Sequence, residues 1–323
     1  MTRPGAGRRI LPYSLLVGQD ELCTALEIAY VDGGVGGVLA TGQRGTAKTT
    51  TVRAFSLMVA DELPVTLPIG ATDDRVLGGW QIKKLMQGAA EPEDGLLVEA
   101  AGSGSRILYI DEINLLDDYL VNIILDVAST GLLSVQREGR AEQRQQVDFT
   151  LVGTMNPDEG GLRPQLLDRF GLVADVAPEE DPERRRRIIE TVLRFEAERD
   201  DPESAFLADA YARNDARKAE LDEARQRLGS VAYGKDTLRD CARLAAAFRV
   251  VGHRGDLVLG RAARALAAIE GAPIVTGDHL RRVAKPALVH RRSTEESGSL
   301  PAWGTEQDQQ VDQLLPTAAG QDR

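Results

Sequence analysis

The stretch VLATGQRGTAKTT, residues 38–50, constrains this chain more than any other part of it. An aliphatic run stops at Gly42, a glycine-bearing loop follows, and Lys48-Thr49 open a segment of helical pattern. A strand that turns through glycine into a helix lets backbone N–H groups close around phosphate while the helix N-terminus adds the positive end of its dipole. Gly42, Gly45, Thr46, Ala47, Lys48, Thr49 and Thr50 are therefore the candidate phosphate-binding residues. In that pattern the lysine supplies a cation and the Thr49 hydroxyl ligates magnesium. The usual pattern has glycine where Ala47 stands. A residue entering a helix takes right-handed angles, so alanine is expected to be tolerated there. Alone, the stretch is also compatible with a glycine turn that happens to carry Lys-Thr, so the neighbouring segments decide.

Those segments repeat one design. Strand candidates at residues 38–41, 65–67, 107–110, 149–153 and 172–176 are almost entirely apolar and alternate with helical stretches, as strands of a parallel sheet covered on both faces do. The strand at 107–110 ends in Asp111-Glu112, which places one carboxylate for a magnesium held by Thr49 and the other for an attacking water. The strand at 149–153 runs into Asn156-Pro157, whose amide is placed for a terminal phosphate or that water, although Asn-Pro is also a common turn. Polar tips of sheet strands gather along one carboxyl edge, where open α/β sheets bind ligands.

After residue 180 the strands stop. Leu259, Ala262, Ala263, Leu266 and Ile269 recur at helical spacing, as do Leu238, Cys241, Ala242, Ala245 and Phe248. The expected organisation is a flexible N-terminus (1–10), an α/β core (11–179), a helical domain (180–292) and a disordered tail (293–323) rich in Gly, Ser, Gln, Asp and Pro. A net charge of -11 disfavours indiscriminate nucleic-acid binding. Cys23 and Cys241, the only cysteines, have no CxxC partner and read as buried thiols rather than as a zinc site or disulfide framework. His253, His279 and His290 show no ligand spacing, so surface or capping roles are expected. No apolar run approaches the length that spans a bilayer, so a cytoplasmic protein without membrane contact is expected. The run Arg184–Arg187 reads as the solvated face of an amphipathic helix.

The blocks LPYSLLVGQDEL, GATDDRVLGG, DGLLVEAA, LYIDEINLLDD, STGLLSVQREG, GTMNPDEGGLRPQLLDRFGL, HRGDLVLGRAARALAAIEG and HLRRVAKPALVHRR occur in this order. They resemble AAA+ proteins of the magnesium-chelatase I-subunit type, close to the MoxR branch, over roughly residues 11–292. The resemblance implies a P-loop AAA+ core with β-hairpin insertions and a C-terminal helical lid, using ATP and Mg2+. By that similarity Glu112 and Asn156 are catalytic, and Asp111 with Thr49 holds the metal. Arg169 is implied to be an arginine finger inserted into the adjacent subunit's site, with Asp168 beside it and Arg163 a second interface candidate. Arg254 is implied to be the sensor-2 arginine that joins the lid to the terminal phosphate of its own subunit, with Arg261 as the fallback. The Val17 segment resembles an adenine-side clasp, and residues 72–87 and 132–147 are the hairpin candidates.

The implied function is the ATP-hydrolysing motor subunit of a chelatase-like complex. It would form a homo-oligomeric ring, expected to be a hexamer, and act with a von Willebrand A domain subunit and a large tetrapyrrole-binding subunit that inserts the metal. Only about thirty residues follow the helical region, so the von Willebrand A domain is expected on a separate chain. The alternatives are a MoxR-like remodelling ATPase with a von Willebrand A partner, or a nucleotide-gated ring scaffold with little turnover.

Overall fold

The computed structural model describes residues 9–68, 70–80, 92–135, 143–292 and 302–315. Its strands in chain order are β1 (Val38–Thr41), β2 (Val65–Leu67), β3 (Gly78–Trp80), β4 (Pro92–Asp94), β5 (Ile107–Ile110), β6 (Leu132–Val135), β7 (Gln143–Gln146), β8 (Thr150–Met155), β9 (Leu172–Asp175), β10 (Ala232–Tyr233) and β11 (Ile274–Val275). Five of them form the central sheet, in the order β2-β5-β8-β1-β9. Every pairing in it is parallel. All residues of β1 and β5 are buried, which accounts for their unbroken apolar sequence.

A parallel sheet puts all of its carboxyl ends on one edge. Gly42, Asp111 and Asn156 directly follow β1, β5 and β8, so that edge collects them. β8 runs to Met155, two residues beyond the expected end, because Thr154 and Met155 continue the ladder opposite Ala40 and Thr41. The polar Thr154 reads from sequence as a strand end, yet its hydroxyl has work at the site described below.

The expected insertion at 132–147 holds an antiparallel strand pair, whereas the one at 72–87 holds only the first strand of its pair, the second lying beyond its expected end. β6 pairs with β7 from Leu132↔Gln146 to Val135↔Gln143. β3 pairs with β4 from Gly78↔Asp94 to Trp80↔Pro92, after a helical turn at Asp73–Leu77 that the first candidate span did not anticipate. Residues 81–91, which include the rest of the first expected span, and 136–142 lie outside the described residues.

The C-terminal half is mostly helical, with Pro182–Glu198, Ala205–Arg227, Thr237–Ala247, Arg254–Ile269 and Gly277–Leu288 as its long elements. Its alanine-rich stripe packs without a break onto the core: Leu221, Leu259, Ala263 and Leu266 share one apolar cluster with Ile28, Ala29 and Phe55 of the first two core helices. The disordered tail is corrected in part. Residues Thr305–Leu314 form a helix that seats Val311 and, just after it, Leu315 at 2% and 1% exposure, while Trp303 stacks on Phe248 at 4.9 Å. The rest of the tail (293–301 and 316–323) and residues 1–8 lie outside the described residues. Among the described residues no helix is long and apolar enough to cross a membrane.

Candidate active site

The carboxyl edge forms a cleft of about 400 Å³ lined by Arg44, Gly45, Thr46, Ala47, Lys48, Thr49, Thr50, Asp111, Glu112, Thr154, Met155 and Asn156. Gly42 must be glycine: its φ is +149° and a Cβ there would stand 2.2 Å from the Val176 carbonyl oxygen. Lys48 Nζ donates to the Gly42 and Gln43 carbonyls at 2.6 and 2.7 Å, which folds the lysine along the loop. Burial lowers its pKa, against the raising influence of Asp111, Glu112 and Glu159. The helix Lys48–Ala60 begins with no side-chain cap, so its first N–H groups face the cleft uncapped, as an anion site requires.

Ala47 departs from the expected geometry. It is left-handed, at φ 60° and ψ 18°, rather than right-handed. The chain passes from the loop into the helix through this one left-handed residue. Alanine therefore holds a conformation that glycine adopts more cheaply.

Asp111 Oδ1 is the hub of a hydroxyl cluster, accepting from Thr154 Oγ1 at 2.7 Å, Tyr109 OH at 2.9 Å and Thr49 Oγ1 at 3.4 Å. Burial pushes the Tyr109 hydroxyl up to about 12, so it stays a donor. Glu112 diverges from Asp111 for a reason beyond strand alternation: it is left-handed at φ 52°, and its N–H is held by Thr154 Oγ1 at 3.1 Å. Arg44 spans Glu112 at 3.6 Å and Glu159 at 2.8 Å. Asn156 is 7% exposed and makes the turn foreseen for Asn-Pro. Its Oδ1 accepts from the Asp158 N–H at 3.2 Å, closing the turn, and it lines the cleft while Nδ2 donates to Glu159 Oε1 at 2.8 Å.

Sequence reasoning passed over Arg44, Tyr109, Thr154 and Glu159. Tyr109 lies inside a strand that reads only as an apolar run and Thr154 just past the expected end of another, and the usable signal was a hydroxyl two residues before each polar tip. Thr49 and Asp111, 3.4 Å apart, fit a magnesium that arrives with nucleotide phosphates, since such an ion needs only one or two protein oxygens. Among the described residues no group of three or more His, Cys, Asp or Glu forms a separate metal cage.

Arg169 lies at the other edge. It precedes β9, whose first residue Leu172 pairs with Val38, the first residue of β1, whereas the phosphate loop follows the last. Three residue steps along a strand are about 10 Å, and the loop extends beyond that. The Arg169 side chain is one-third exposed, resting on the Asn122 carbonyl at 3.2 Å and near Asp126 at 3.6 Å. It is a surface guanidinium remote from its own cleft.

Arg254 is found with it rather than among the residues lining its own subunit's cleft. Its Nη2 donates to the Arg169 carbonyl at 2.6 Å, and burial lowers its pKa. The lid helix Arg254–Ile269 starts beside the β9 edge and so carries Arg254 away from Lys48. The fallback Arg261 pairs with Asp32 at 3.6 Å. Arg163, 74% exposed, pairs with Asp118.

A second cleft, of about 360 Å³, joins the first through Ala47 and Thr50 and is walled by Leu15, Leu16, Val17, Gln19 and, from the helix Pro182–Glu198, Ile188, Val192 and Phe195. An apolar slot opening off a phosphate loop suits a flat base, in keeping with Val17 as a clasp. Arg184 and Arg186 on the same helix pair with Asp20, Glu179, Glu183 and Glu190 at the surface, as expected of a solvated face. His279 caps its helix through Thr276, and His253 is exposed. His290 is buried, contrary to expectation, and Cys23 is only partly buried.

A phosphate loop, a strand-end acidic pair, an asparagine tip and a remote arginine on a five-stranded parallel sheet with a helical lid define a P-loop ATPase of the AAA+ class. The AAA domain family (dynein-related subfamily) matches residues 37–170, and the AAA lid domain family matches residues 238–314. Over 317 residues the chain is 40% identical to the magnesium-chelatase 38 kDa subunit of Rhodobacter capsulatus, covering 88% of each. The chain belongs to the magnesium-chelatase 38 kDa subunit family. It is equally 40% identical, over 316 residues, to an uncharacterised protein of Mycobacterium tuberculosis, covering 95% of this chain and 48% of that one, so it spans about half of that relative's length. The solved structure of an ATPase from Cytophaga hutchinsonii, 17% identical with a TM-score of 0.63 over 93% of this chain and 90% of that one, shares the fold.

Proposed function

We propose that the chain is the ATP-hydrolysing motor subunit of a chelatase-like complex and that it hydrolyses ATP only where two copies meet in a ring. The observation that supports this most is the polarity of the sheet, with Lys48, Asp111 and Glu112 at one edge and Arg169 at the other. A single copy cannot bring its own guanidinium to its own phosphates, whereas successive copies in a ring can.

In this reading the backbone N–H groups of residues 45–49 cradle the phosphates, Lys48 offsets the charge of the terminal one, and the slot beside Val17 takes the base. Thr49 and Asp111 hold the magnesium, which when bound with ATP neutralises charge on the phosphate oxygens. Glu112 accepts a proton from the attacking water and Asn156 orients that water. Arg169 of the neighbouring copy stabilises the charge that develops on the transferring phosphoryl group, a contribution of about three to five orders of magnitude in rate. Arg254, held against the backbone of Arg169, belongs to the same donated edge, so any phosphate it meets is also the neighbour's.

Membership of the family supports work on a metal-inserting partner: a von Willebrand A domain subunit contacting the ring, which we take to be a hexamer, and a large tetrapyrrole-binding subunit that performs the insertion. The test is affinity purification of the intact chain from its source together with steady-state phosphate release. Recovery of a large porphyrin-binding subunit is expected. Recovery of small von Willebrand A proteins alone would turn the reading to a MoxR-like remodelling ATPase, and nucleotide binding without turnover would turn it to a ring scaffold.

A further inference from the structure

The segment that carries Arg169 is gripped from the lid. Four consecutive main-chain carbonyls, from Asp168 to Gly171, each accept a hydrogen bond from a lid side chain. Arg291 supplies most of them. It lies in the turn Val289–Arg291 that closes the lid helix Gly277–Leu288, and its side chain is 1% exposed. Nε donates to Asp168 Oδ1 at 3.1 Å, Nη1 to the Gly171 and Ala287 carbonyls at 3.0 and 2.5 Å, and Nη2 to the Asp168 carbonyl at 3.0 Å and to the Phe170 carbonyl. All five N–H donors of the guanidinium are thereby used. Arg254 holds the Arg169 carbonyl at 2.6 Å, and His290 Nε2 stands 3.2 Å from the Phe170 carbonyl.

Such an arrangement needs an explanation, because a buried cation costs stability and an apolar side chain of similar volume would fill the same space. Burial lowers the basicity of Arg291 to about 10, with Asp168 opposing the shift, so the group stays charged at neutral pH. What the planar fork does, and an apolar side chain cannot, is fix the direction of several carbonyls at once. The carbonyls it fixes are those flanking the residue whose guanidinium must reach a neighbouring site. A misplacement of about 1 Å in such a group costs on the order of 100-fold in rate.

We propose that Arg291 is a positioning residue for hydrolysis: by locking residues 168–171 to the lid it makes lid and finger one rigid unit, so that movement of the lid in one subunit moves Arg169 within the next subunit's site. This rests on the reading of Arg169 as a finger acting in trans.

The test uses the full chain with Arg291→Lys, which keeps the charge and loses the fork, beside Arg169→Ala and Glu112→Gln. For Arg291→Lys the KM for ATP is expected to stay within about 2-fold, because the subunit's own cleft is intact, while kcat falls about 10- to 100-fold. Mixing Arg291→Lys with Glu112→Gln is expected to raise activity above either alone, since Glu112→Gln subunits lend a well-placed finger to intact Arg291→Lys clefts. A folded Arg291→Lys protein with wild-type kcat, or one that mixing does not rescue, overturns the proposal. If Arg291→Lys does not fold, Arg291→Gln, which keeps a planar amide and loses most of the fork, is expected to give the same kcat loss and rescue, and wild-type kcat there overturns the proposal equally. An active Arg169→Ala would instead remove the trans reading itself. An inactive Arg169→Ala that Glu112→Gln rescues, beside an unaffected Arg291→Lys, removes only this proposal.

Discussion

Thr154 Oγ1 donates a 2.7 Å hydrogen bond to Asp111 Oδ1, tying the tip of β8 to the tip of β5. The Tyr109 hydroxyl reaches the same oxygen at 2.9 Å. Together they hold one oxygen of the carboxylate proposed to hold magnesium, before any ligand arrives. Loss of one hydrogen bond to a charged acceptor is worth about 1.5 kcal/mol, on the order of 10-fold in an equilibrium. Thr154→Val and Tyr109→Phe are each expected to raise the KM for Mg-ATP by about 5- to 10-fold, and the double variant by less than the product, because both act on one oxygen. Steady-state kinetics with magnesium titration checks this, and unchanged KM values would speak against the hub.

Ala47 stores backbone strain at the phosphate loop. Its side chain is exposed and its φ is 60°, so the cost is conformational rather than packing. A left-handed non-glycine residue costs about 1–2 kcal/mol, and the extra freedom of glycine in the unfolded chain returns about 0.4–1 kcal/mol of that. Ala47→Gly is expected to stabilise the protein by about 0.5–1 kcal/mol, and Ala47→Val to destabilise it, because branching at Cβ worsens the same conformation. Thermal unfolding of the three proteins side by side reads the order.

His290 makes stability depend on pH. Burial holds its pKa well below the usual 6.5, with Arg291 adding to the effect. The folded protein thus keeps His290 neutral while the unfolded chain takes up a proton below about pH 6.5. Stability from this group is complete above that pH and falls as the medium is acidified, by at most about 1.4 kcal/mol per pH unit. Denaturant unfolding at pH 7.5 and 5.5 is expected to show a shallower loss for His290→Gln than for wild type. Equal slopes would contradict it.

The helix Thr305–Leu314 closes the lid. Val311, at 2% exposure, and Leu315, at 1%, are its apolar anchors, and Arg281 ties it down through Asp312 at 2.6 Å and the Leu315 carbonyl at 2.8 Å. Val311→Ala is expected to cost about 2 kcal/mol, seen as a lower melting temperature, with the KM for ATP unchanged because the helix is remote from the clefts.

The sequence carried the sheet well because its strands are short, mostly apolar runs, and β1, β2 and β5 were placed to the residue. The phosphate loop, Asp111, Glu112 and Asn156 were legible because each directly follows such a run. The tail helix was not, since ten mostly polar residues that bury one or two aliphatic side chains look the same in sequence as a disordered segment. Ala47 and Glu112 escaped because a left-handed φ in a non-glycine residue leaves no compositional trace. The place of Arg254 beside Arg169 was not legible, because a motif names a residue type, whereas the path of the lid over β9 decides which edge that residue reaches. The clamp made by Arg291 has no local signature, because its partners lie 120 or more positions away.

The central claim is that one functional site is assembled from two copies. Arg169→Ala keeps an intact cleft and lacks the finger, and Glu112→Gln keeps the finger and lacks the base. Each is expected to be nearly inactive alone, while an equimolar mixture, exchanged before ATP is added, releases phosphate well above either parent. A mixture no more active than its two components, or an Arg169→Ala protein that hydrolyses ATP at the wild-type rate by itself, would contradict the account.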